Sequence, residues 1–391
     1  MCFVDLEKAF DCVPRGVLWR VLREYGVLGP LLRAVRSLYD RSRSLVRIAG
    51  SKSDLFPVHV GLRQVCPLSP VLFVIFMDRI SRRSQGPEGV RFGDHTISSL
   101  LFADDVVVLA PSNQGLQHAL GRFAAECEAL GIRISTSKSE AMVLSWTRVA
   151  CPLQVGGECL PQVEEFKYLE ILFMSEGRME REIDRRIGAA SAVMRSMDRS
   201  VVVKKELSRK AKLSIYWSIY IPTLTYGHEL WVMTERTRSR IQAAEMSFLR
   251  RVAGRSLRER VRSSVTREEL RVEPLLLHIE RGQLRWLGHL FRMPPECLPG
   301  KVSRSRPTGR RPRGRPRTCW RDYVSRLAWE RLGVPPEELE EVSGEREVWA
   351  SLLRLRPRDP APDEAEEDNS DVADYQKRNK AHCNGTGTER C

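Results

Sequence analysis

The sequence lacks a hydrophobic run long enough to cross a lipid bilayer, which excludes a helical integral membrane protein. The apolar run from Val71 to Met77 is short, whereas a membrane helix needs about 20 apolar residues. Asp5, Glu7 and Lys8 interrupt the first turn of the chain, so it does not resemble a secretory signal. We therefore expect an intracellular protein with no membrane partner.

Closely spaced cysteine pairs are also missing. The ten cysteines lie far apart, and no two stand in the Cys-x-x-Cys arrangement that many structural zinc sites use. The sequence therefore gives no indication of a zinc site. Scattered single cysteines are typical of reduced side chains in an intracellular protein.

Acidic residues are too few to balance the basic ones. The chain carries 64 Lys and Arg residues against 50 Asp and Glu residues, a formal net charge of +14. An excess of this size indicates an anionic partner, of which the phosphate backbone of a nucleic acid is the commonest. The alternative is a solvated basic surface without a specific partner.

The basic residues are densest from Lys301 to Arg321, a segment without a single acidic residue. Its proline and glycine content does not allow a continuous helix. We predict that five of its arginines bind nucleic acid: Arg310, Arg311, Arg313, Arg315 and Arg317. A nuclear localisation signal and a solvated linker are the alternatives, and we expect a nuclear protein.

Hydrophobic spacing divides the chain into two parts. Up to about residue 175, segments typical of strands alternate with segments typical of helices, as in the strand signal at residues 2–4 and the helical spacing from Val17 to Tyr25. From about residue 177 to 295, helical spacing continues with few strand signals. After Pro357 the chain is rich in proline and acids and then polar, which is typical of disorder.

Two acidic residues interrupt a strongly apolar stretch. Asp104 and Asp105 stand between residues 100–103 and 106–109, which predicts two short strands joined by an acidic turn. Adjacent carboxylates repel each other unless a cation neutralises them. A polar surface turn is the commoner explanation of such a pair taken alone, and a divalent metal site is the alternative.

Three segments, in the same order and spacing, resemble motifs A, B and C of the reverse transcriptases encoded by non-LTR (LINE-type) retrotransposons. Motif A corresponds to Phe3-Val4-Asp5-Leu6-Glu7-Lys8-Ala9-Phe10-Asp11. Motif B corresponds to Gly61-Leu62-Arg63-Gln64-Val65-Cys66-Pro67-Leu68-Ser69-Pro70, and motif C to Phe102-Ala103-Asp104-Asp105. Three ordered motifs of this length make a specific signal.

Weaker similarities extend the resemblance along the chain. Residues 131–138 resemble motif D, and Phe166-Lys167-Tyr168-Leu169 resembles the primer-grip motif E. Residues 216–231, 285–289 and 314–322 resemble the thumb and C-terminal region of the same elements. The resemblance thus covers most of residues 1–330.

The resemblance implies a role for each matching residue. Asp5 and Asp104, with Asp105 beside them, would bind two magnesium ions, for which manganese can substitute. Lys138 would protonate the pyrophosphate leaving group as a general acid. The nucleotide would be bound by the backbone of Leu6, by Phe10 as a gate against a ribose 2′-hydroxyl, and by Gln64. Taken alone, Phe10 is more often a core residue and Lys138 a solvated one.

The resemblance also implies an α+β fold, a polymerase palm in which an antiparallel sheet packs on helices, followed by an all-α thumb-like domain. We predict a palm without fingers over residues 1–175 and the thumb-like domain over 176–295. A basic, partly disordered C-terminal region with short helices would span residues 296–356, and a disordered tail would span 357–391.

The implied function is that of an RNA-directed DNA polymerase acting on an RNA template, a DNA primer and deoxynucleoside triphosphates. Several departures from the family pattern predict impaired activity. The chain starts almost on motif A, Val65 replaces a glycine of motif B, Glu170 replaces a glycine after motif E, and Ser135 replaces an asparagine of motif D. The alternative function is a non-enzymatic nucleic-acid-binding remnant of such an element.

Overall fold

The computed structural model describes residues 1–145, 149–197, 206–305 and 318–354. These residues form two compact units. The first unit comprises Met1–Tyr168 with Phe173–Gly177, and the second comprises Leu169–Leu172 with Arg178–Ser305 and residues 318–354. No helix in the described part of the chain is long and apolar enough to cross a membrane.

The largest described sheet is antiparallel and belongs to the first unit. Its four strands, in spatial order, are Glu140–Ala141, Cys2–Val4, Asp105–Val108 and Ser99–Phe102. Val4 pairs with Val106, and Phe102 pairs with Asp105. The acidic turn and the carboxyl end of the first strand therefore lie at the same end of the sheet.

The helices of the first unit bury their apolar faces in one core with this sheet. Leu18, Leu22, Phe73 and Leu120 are almost completely buried there, because apolar residues recur at helical spacing along each segment. The helix Asn113–Ala129 begins after Ser112, whose hydroxyl accepts a hydrogen bond from a backbone N–H of the first turn. The helices are Ala9–Cys12, Arg15–Glu24, Gly29–Asp40, Leu68–Ser84 and Asn113–Ala129.

Five two-stranded antiparallel ladders complete the β structure of the described residues. They join residues 43–44 with 56–57, 47–48 with 51–52, 90–92 with 95–97, 154–155 with 158–159, and 165–168 with 171–174. The predicted mixture of helices with small antiparallel sheets is therefore confirmed. The finer division into palm, thumb-like domain and C-terminal region stays a prediction.

The second unit contains helices and no strand in the described residues from 178 to 354. Its larger helices are Glu180–Met197, Glu235–Val252, Leu275–Arg292 and Trp320–Leu332. Its shorter helices are Arg209–Ile215, Tyr216–Tyr220 (a π-helix), Ile221–Thr225, His228–Leu230 and Leu257–Glu259 (both 3₁₀), Ser263–Leu270, Leu298–Arg304, Leu339–Gly344 and Arg346–Leu352.

The helices after residue 318 share one core with the helices before residue 295. Trp349 is buried, and its indole N–H donates a hydrogen bond of 3.1 Å to the carbonyl oxygen of Leu284. Gly288 permits this approach, since a Cβ there would lie 2.3 Å from the indole nitrogen. Packing therefore continues across the boundary that the sequence predicted at residue 295.

Candidate active site

Asp104 and Asp105 lie at the tip of a tight hairpin. Phe102 pairs with Asp105, so Ala103 and Asp104 alone connect the two strands. Ala103 has a φ of 52°, in the left-handed region that disfavours residues with a Cβ. The turn therefore holds two carboxylates at the end of the sheet at some cost in backbone strain.

Asp5 follows the neighbouring strand and is fixed through its backbone. Its N–H donates a hydrogen bond of 3.0 Å to the Ser139 hydroxyl, and its carbonyl accepts one of 2.9 Å from the Ser135 N–H. Because Val4 pairs with Val106, Asp5 comes next in register to Asp105. The structure thus brings the three predicted carboxylates, those of Asp5, Asp104 and Asp105, to one end of the sheet.

The three carboxylates act on one another electrostatically. Partial burial raises the pKa of Asp105, and the negative charges of Asp104 and then Asp5 raise it further. The only described cation in an ion pair with them is Lys138, whose Nζ lies 3.9 Å from Asp5 Oδ2. The Lys138 side chain is 73% exposed and the Asp5 side chain 42%, so solvent weakens this pair.

The carboxylate oxygens of these three residues are suitable ligands for a hard divalent cation, although the side chains do not surround a common metal position. Among the described residues, no three His, Cys, Asp or Glu side chains are grouped closely enough to hold a metal ion. Carboxylate oxygens are nevertheless the ligands that such cations prefer, and the pKa of Asp105 is raised by partial burial and then by the negative charges of Asp104 and Asp5. Asp5, Asp104 and Asp105 therefore have the chemistry of divalent-metal ligands.

The predicted nucleotide-binding residues lie in the same unit. The Leu6 side chain is buried, and its backbone forms a β-bridge to Ile134. Phe10 is half-buried and stacks on Phe73 with ring centroids 4.3 Å apart, a contact compatible with a core role as well as a gate. Gln64 is exposed, and its Nε2 donates a hydrogen bond of 3.2 Å to Asp11 Oδ1.

Val65, next to Gln64, has a strained backbone. Its φ is 60°, in the left-handed region that is unfavourable for a β-branched residue. The side chain is fully exposed, so no packing compensates for the strain. The backbone at this position thus has the conformation that glycine adopts freely.

The turn after motif E is held by charged residues that sequence reasoning missed. Leu169 and Glu170 have φ values of 48° and 62°, and the Glu170 carbonyl accepts hydrogen bonds from Arg185, at 2.5 Å, and from Arg186. Both arginines also bind the buried carboxylate of Glu182. The spacing of one glutamate with two arginines three and four positions later is a detectable helical signal.

The five arginines predicted to bind nucleic acid, Arg310 to Arg317, lie outside the described residues. Their role stays a prediction.

Known proteins resemble this chain in the region of the carboxylates. The family described as reverse transcriptase (RNA-dependent DNA polymerase) matches residues 1–172, which include the hairpin and the strand before Asp5. Residues 1–172 therefore resemble the reverse transcriptase family, and this match spans less than half of the 391-residue chain. The predicted resemblance is confirmed on this point.

Several proteins similar to this chain come from mobile elements. The Pol polyprotein of the R2 element of Nasonia vitripennis is 28% identical over 195 residues, 47% of this chain and 19% of the relative. The RNA-directed DNA polymerase from mobile element jockey of Drosophila melanogaster is 25% identical over 261 residues, 64% of this chain and 28% of the relative.

A longer alignment extends past residue 172. The probable RNA-directed DNA polymerase from transposon X-element of Drosophila melanogaster is 26% identical over 333 residues, 81% of this chain and 34% of the relative. The chain therefore spans about a third or less of these three relatives. They support the predicted assignment to the non-LTR retrotransposon class.

Proposed function

We propose that this chain catalyses RNA-directed DNA synthesis as the reverse transcriptase domain of a non-LTR retrotransposon protein. The observation that carries the proposal is the convergence of Asp5, Asp104 and Asp105 at one end of a sheet. These carboxylates lie within the region that matches the reverse transcriptase family. The substrates are an RNA template, a DNA primer and deoxynucleoside triphosphates.

The carboxylates have the chemistry that nucleotidyl transfer needs. Two divalent cations, magnesium or manganese, would activate the primer 3′-hydroxyl and stabilise charge on the triphosphate when bound. Asp5, Asp104 and Asp105 would hold them through hard oxygen ligands. Partial burial, followed by repulsion from Asp104 and Asp5, raises the pKa of Asp105, and a bound cation would offset the repulsion.

Lys138 is the candidate general acid of the reaction. Its ammonium group lies 3.9 Å from Asp5 Oδ2 and remains largely exposed, so it can move toward a leaving group bound beside the carboxylates. Proton donation to the pyrophosphate would accompany cleavage of the bond between the α- and β-phosphates. Gln64 and Phe10 would position the incoming nucleotide.

Primer extension by the full chain on an RNA template tests the proposal. We expect Asp104→Asn to reduce extension by about 10³-fold, because loss of a metal ligand removes several kcal/mol of transition-state stabilisation. The matched control is Asp94→Asn, since Asp94 is an exposed acid next to a turn in another hairpin of the same unit. It should retain wild-type activity.

Two results would count against catalysis by these residues. Equal primer extension by the wild type and Asp104→Asn would show that the Asp104 carboxylate is not needed for catalysis. Salt-sensitive nucleic acid binding without any extension, in magnesium or manganese, would support the non-enzymatic alternative.

A further inference from the structure

Arg15 directs its guanidinium group at the backbone of one loop. Its Nε donates a hydrogen bond of 2.9 Å to the Gly61 carbonyl, and its Nη1 donates one of 2.6 Å to Val58 and one of 3.1 Å to Tyr39. Its Nη2 donates a longer bond, 3.3 Å, to the Val60 carbonyl. One side chain thus ties together three carbonyls of residues 58–61 and the end of the helix Gly29–Asp40.

No carboxylate among the described residues forms an ion pair with Arg15, whose donors go to backbone carbonyls instead. The guanidinium also lies 5.1 Å from the centre of the Tyr39 ring. Partial burial lowers the pKa of Arg15, but an arginine stays charged throughout the physiological range. Hydrogen bonds from a charged donor are stronger than neutral ones. The forked guanidinium group of Arg15 therefore holds the loop of residues 58–61 in one conformation.

The ordered loop runs alongside the segment that carries Phe10 and Asp11. The Gly61 N–H donates to the Val13 carbonyl at 2.9 Å, and the Leu62 N–H donates to the Phe10 carbonyl at 2.7 Å. Two residues later, Gln64 binds Asp11. These hydrogen bonds link the loop to Phe10, the predicted gate, and to Asp11, which binds the predicted nucleotide-binding residue Gln64.

Gly61 makes the close approach possible. Its φ is 79°, and a Cβ on it would lie 2.5 Å from the carbonyl oxygen of Asp11. The backbone of residue 61 therefore lies against the backbone of residue 11 with no room for a side chain. Arg15 holds Gly61 in this place through its carbonyl.

We propose that Arg15 is a positioning residue for the incoming nucleotide. By ordering residues 58–61, it sets the distance between Leu62 and Phe10 and presents Gln64 beside Asp11. The proposal rests on the proposed nucleotidyl transfer at this site. A purely structural arginine would stabilise the first unit without changing how the bound nucleotide is held.

The test uses the full chain with Arg15→Gln and Arg15→Lys. Arg20→Gln is the matched control, because Arg20 is exposed on the same helix. Hydrogen exchange of the Gly61 and Leu62 amides reports loop order, and steady-state primer extension reports KM for the nucleotide and kcat.

We expect exchange of the two amides to accelerate more than about tenfold in Arg15→Gln, because loss of the hydrogen bonds from a charged donor lets the loop open more readily. KM for the nucleotide should rise about tenfold, more than kcat falls, since a loosened loop weakens nucleotide binding. Arg15→Lys keeps the charge but loses the fork and should fall between the wild type and Arg15→Gln. Arg20→Gln should match the wild type in all three quantities.

Unchanged amide exchange in Arg15→Gln would overturn the proposal, as would a lower melting temperature with KM and kcat unchanged. If the wild type extends no primer, the proposed function fails separately. Amide exchange then decides whether Arg15 orders the loop, and retained protection in Arg15→Gln would overturn that claim too.

Discussion

The acids of the two units differ in their partners. In the first unit, Asp5, Asp104 and Asp105 are partly or largely exposed, and the charges of Asp5 and Asp104 act on Asp105. The one described cation paired with them is Lys138, 3.9 Å from Asp5. In the second unit, Glu182 and Glu245 are completely buried, and each carboxylate is bound by arginine at 2.6–2.8 Å.

The buried acids are also satisfied by neutral donors. Glu245 accepts hydrogen bonds from the Tyr216 hydroxyl and the Leu275 N–H, both at 3.2 Å, as well as from Arg267. Glu182 accepts one of 3.0 Å from the Leu172 N–H. Buried charges need this degree of satisfaction because removal from water is costly.

The contrast separates two uses of negative charge. In the helical unit, the chain itself neutralises each buried carboxylate, which leaves no charge for a ligand. At one end of the sheet, the chain places three carboxylates, and among the described residues only Asp5 forms an ion pair, with Lys138. An arrangement that is unfavourable alone becomes favourable when a cation binds, which is expected of a functional site.

The largest effect on stability should come from removing the charge of a buried carboxylate that is paired with an arginine. Glu245→Gln leaves the charge of Arg267 buried without its partner, and we expect a loss of about 3–5 kcal/mol in the free energy of unfolding. Urea unfolding measures this change. Glu235→Gln is the control, because that acid is 94% exposed and should cost less than about 0.5 kcal/mol. Equal effects of the two substitutions would remove the contrast between buried and exposed acids.

Relief of backbone strain near the candidate site should have a smaller, stabilising effect. Val65→Gly places glycine at a φ of 60° and removes a side chain that has no packing contacts to lose. We expect about 1 kcal/mol of added stability, since relieved strain of about 1–3 kcal/mol exceeds the extra chain entropy of glycine. Chemical denaturation of the full chain measures it. A destabilised variant would show that valine is accommodated here without strain.

The smallest effect should be the pH dependence contributed by Asp105. Its pKa is raised in the folded state, so the folded chain binds a proton more readily than the unfolded chain, and the charged form destabilises the fold. Asp105→Asn should therefore be slightly more stable than the wild type at pH 7. The difference should shrink as the pH falls through the raised pKa. A difference that grows on acidification would contradict uncompensated repulsion.

Sequence patterns predicted the local parts of the site better than its long-range contacts. The continuous apolar runs on both sides of Asp104 and Asp105 were enough to predict the strands and the acidic turn, because these are set by neighbours in sequence. The partners of Arg15 and Glu245 lie far along the chain and depend on how helices and loops pack. Local spacing contains no signal for such contacts.

The packing of the helices after residue 295 shows the same limit. The helix Arg346–Leu352 is short, and its amphipathic pattern is too brief to indicate where its apolar face packs. Trp349 nevertheless enters the core formed by the longer helices. The mixture of strands and helices could be predicted from periodicity, whereas the extent of each core required the tertiary structure.

Divalent-cation binding tests the central claim most directly, namely that the hairpin carboxylates keep their charge for a metal. Thermal unfolding of the full chain is followed with magnesium and with sodium at equal ionic strength, in the wild type, Asp104→Asn and Asp94→Asn. Magnesium at ten times its dissociation constant should stabilise the wild type and Asp94→Asn by about 1.4 kcal/mol and leave Asp104→Asn unchanged. No magnesium-specific stabilisation of the wild type, or an equal one in Asp104→Asn, would contradict the account.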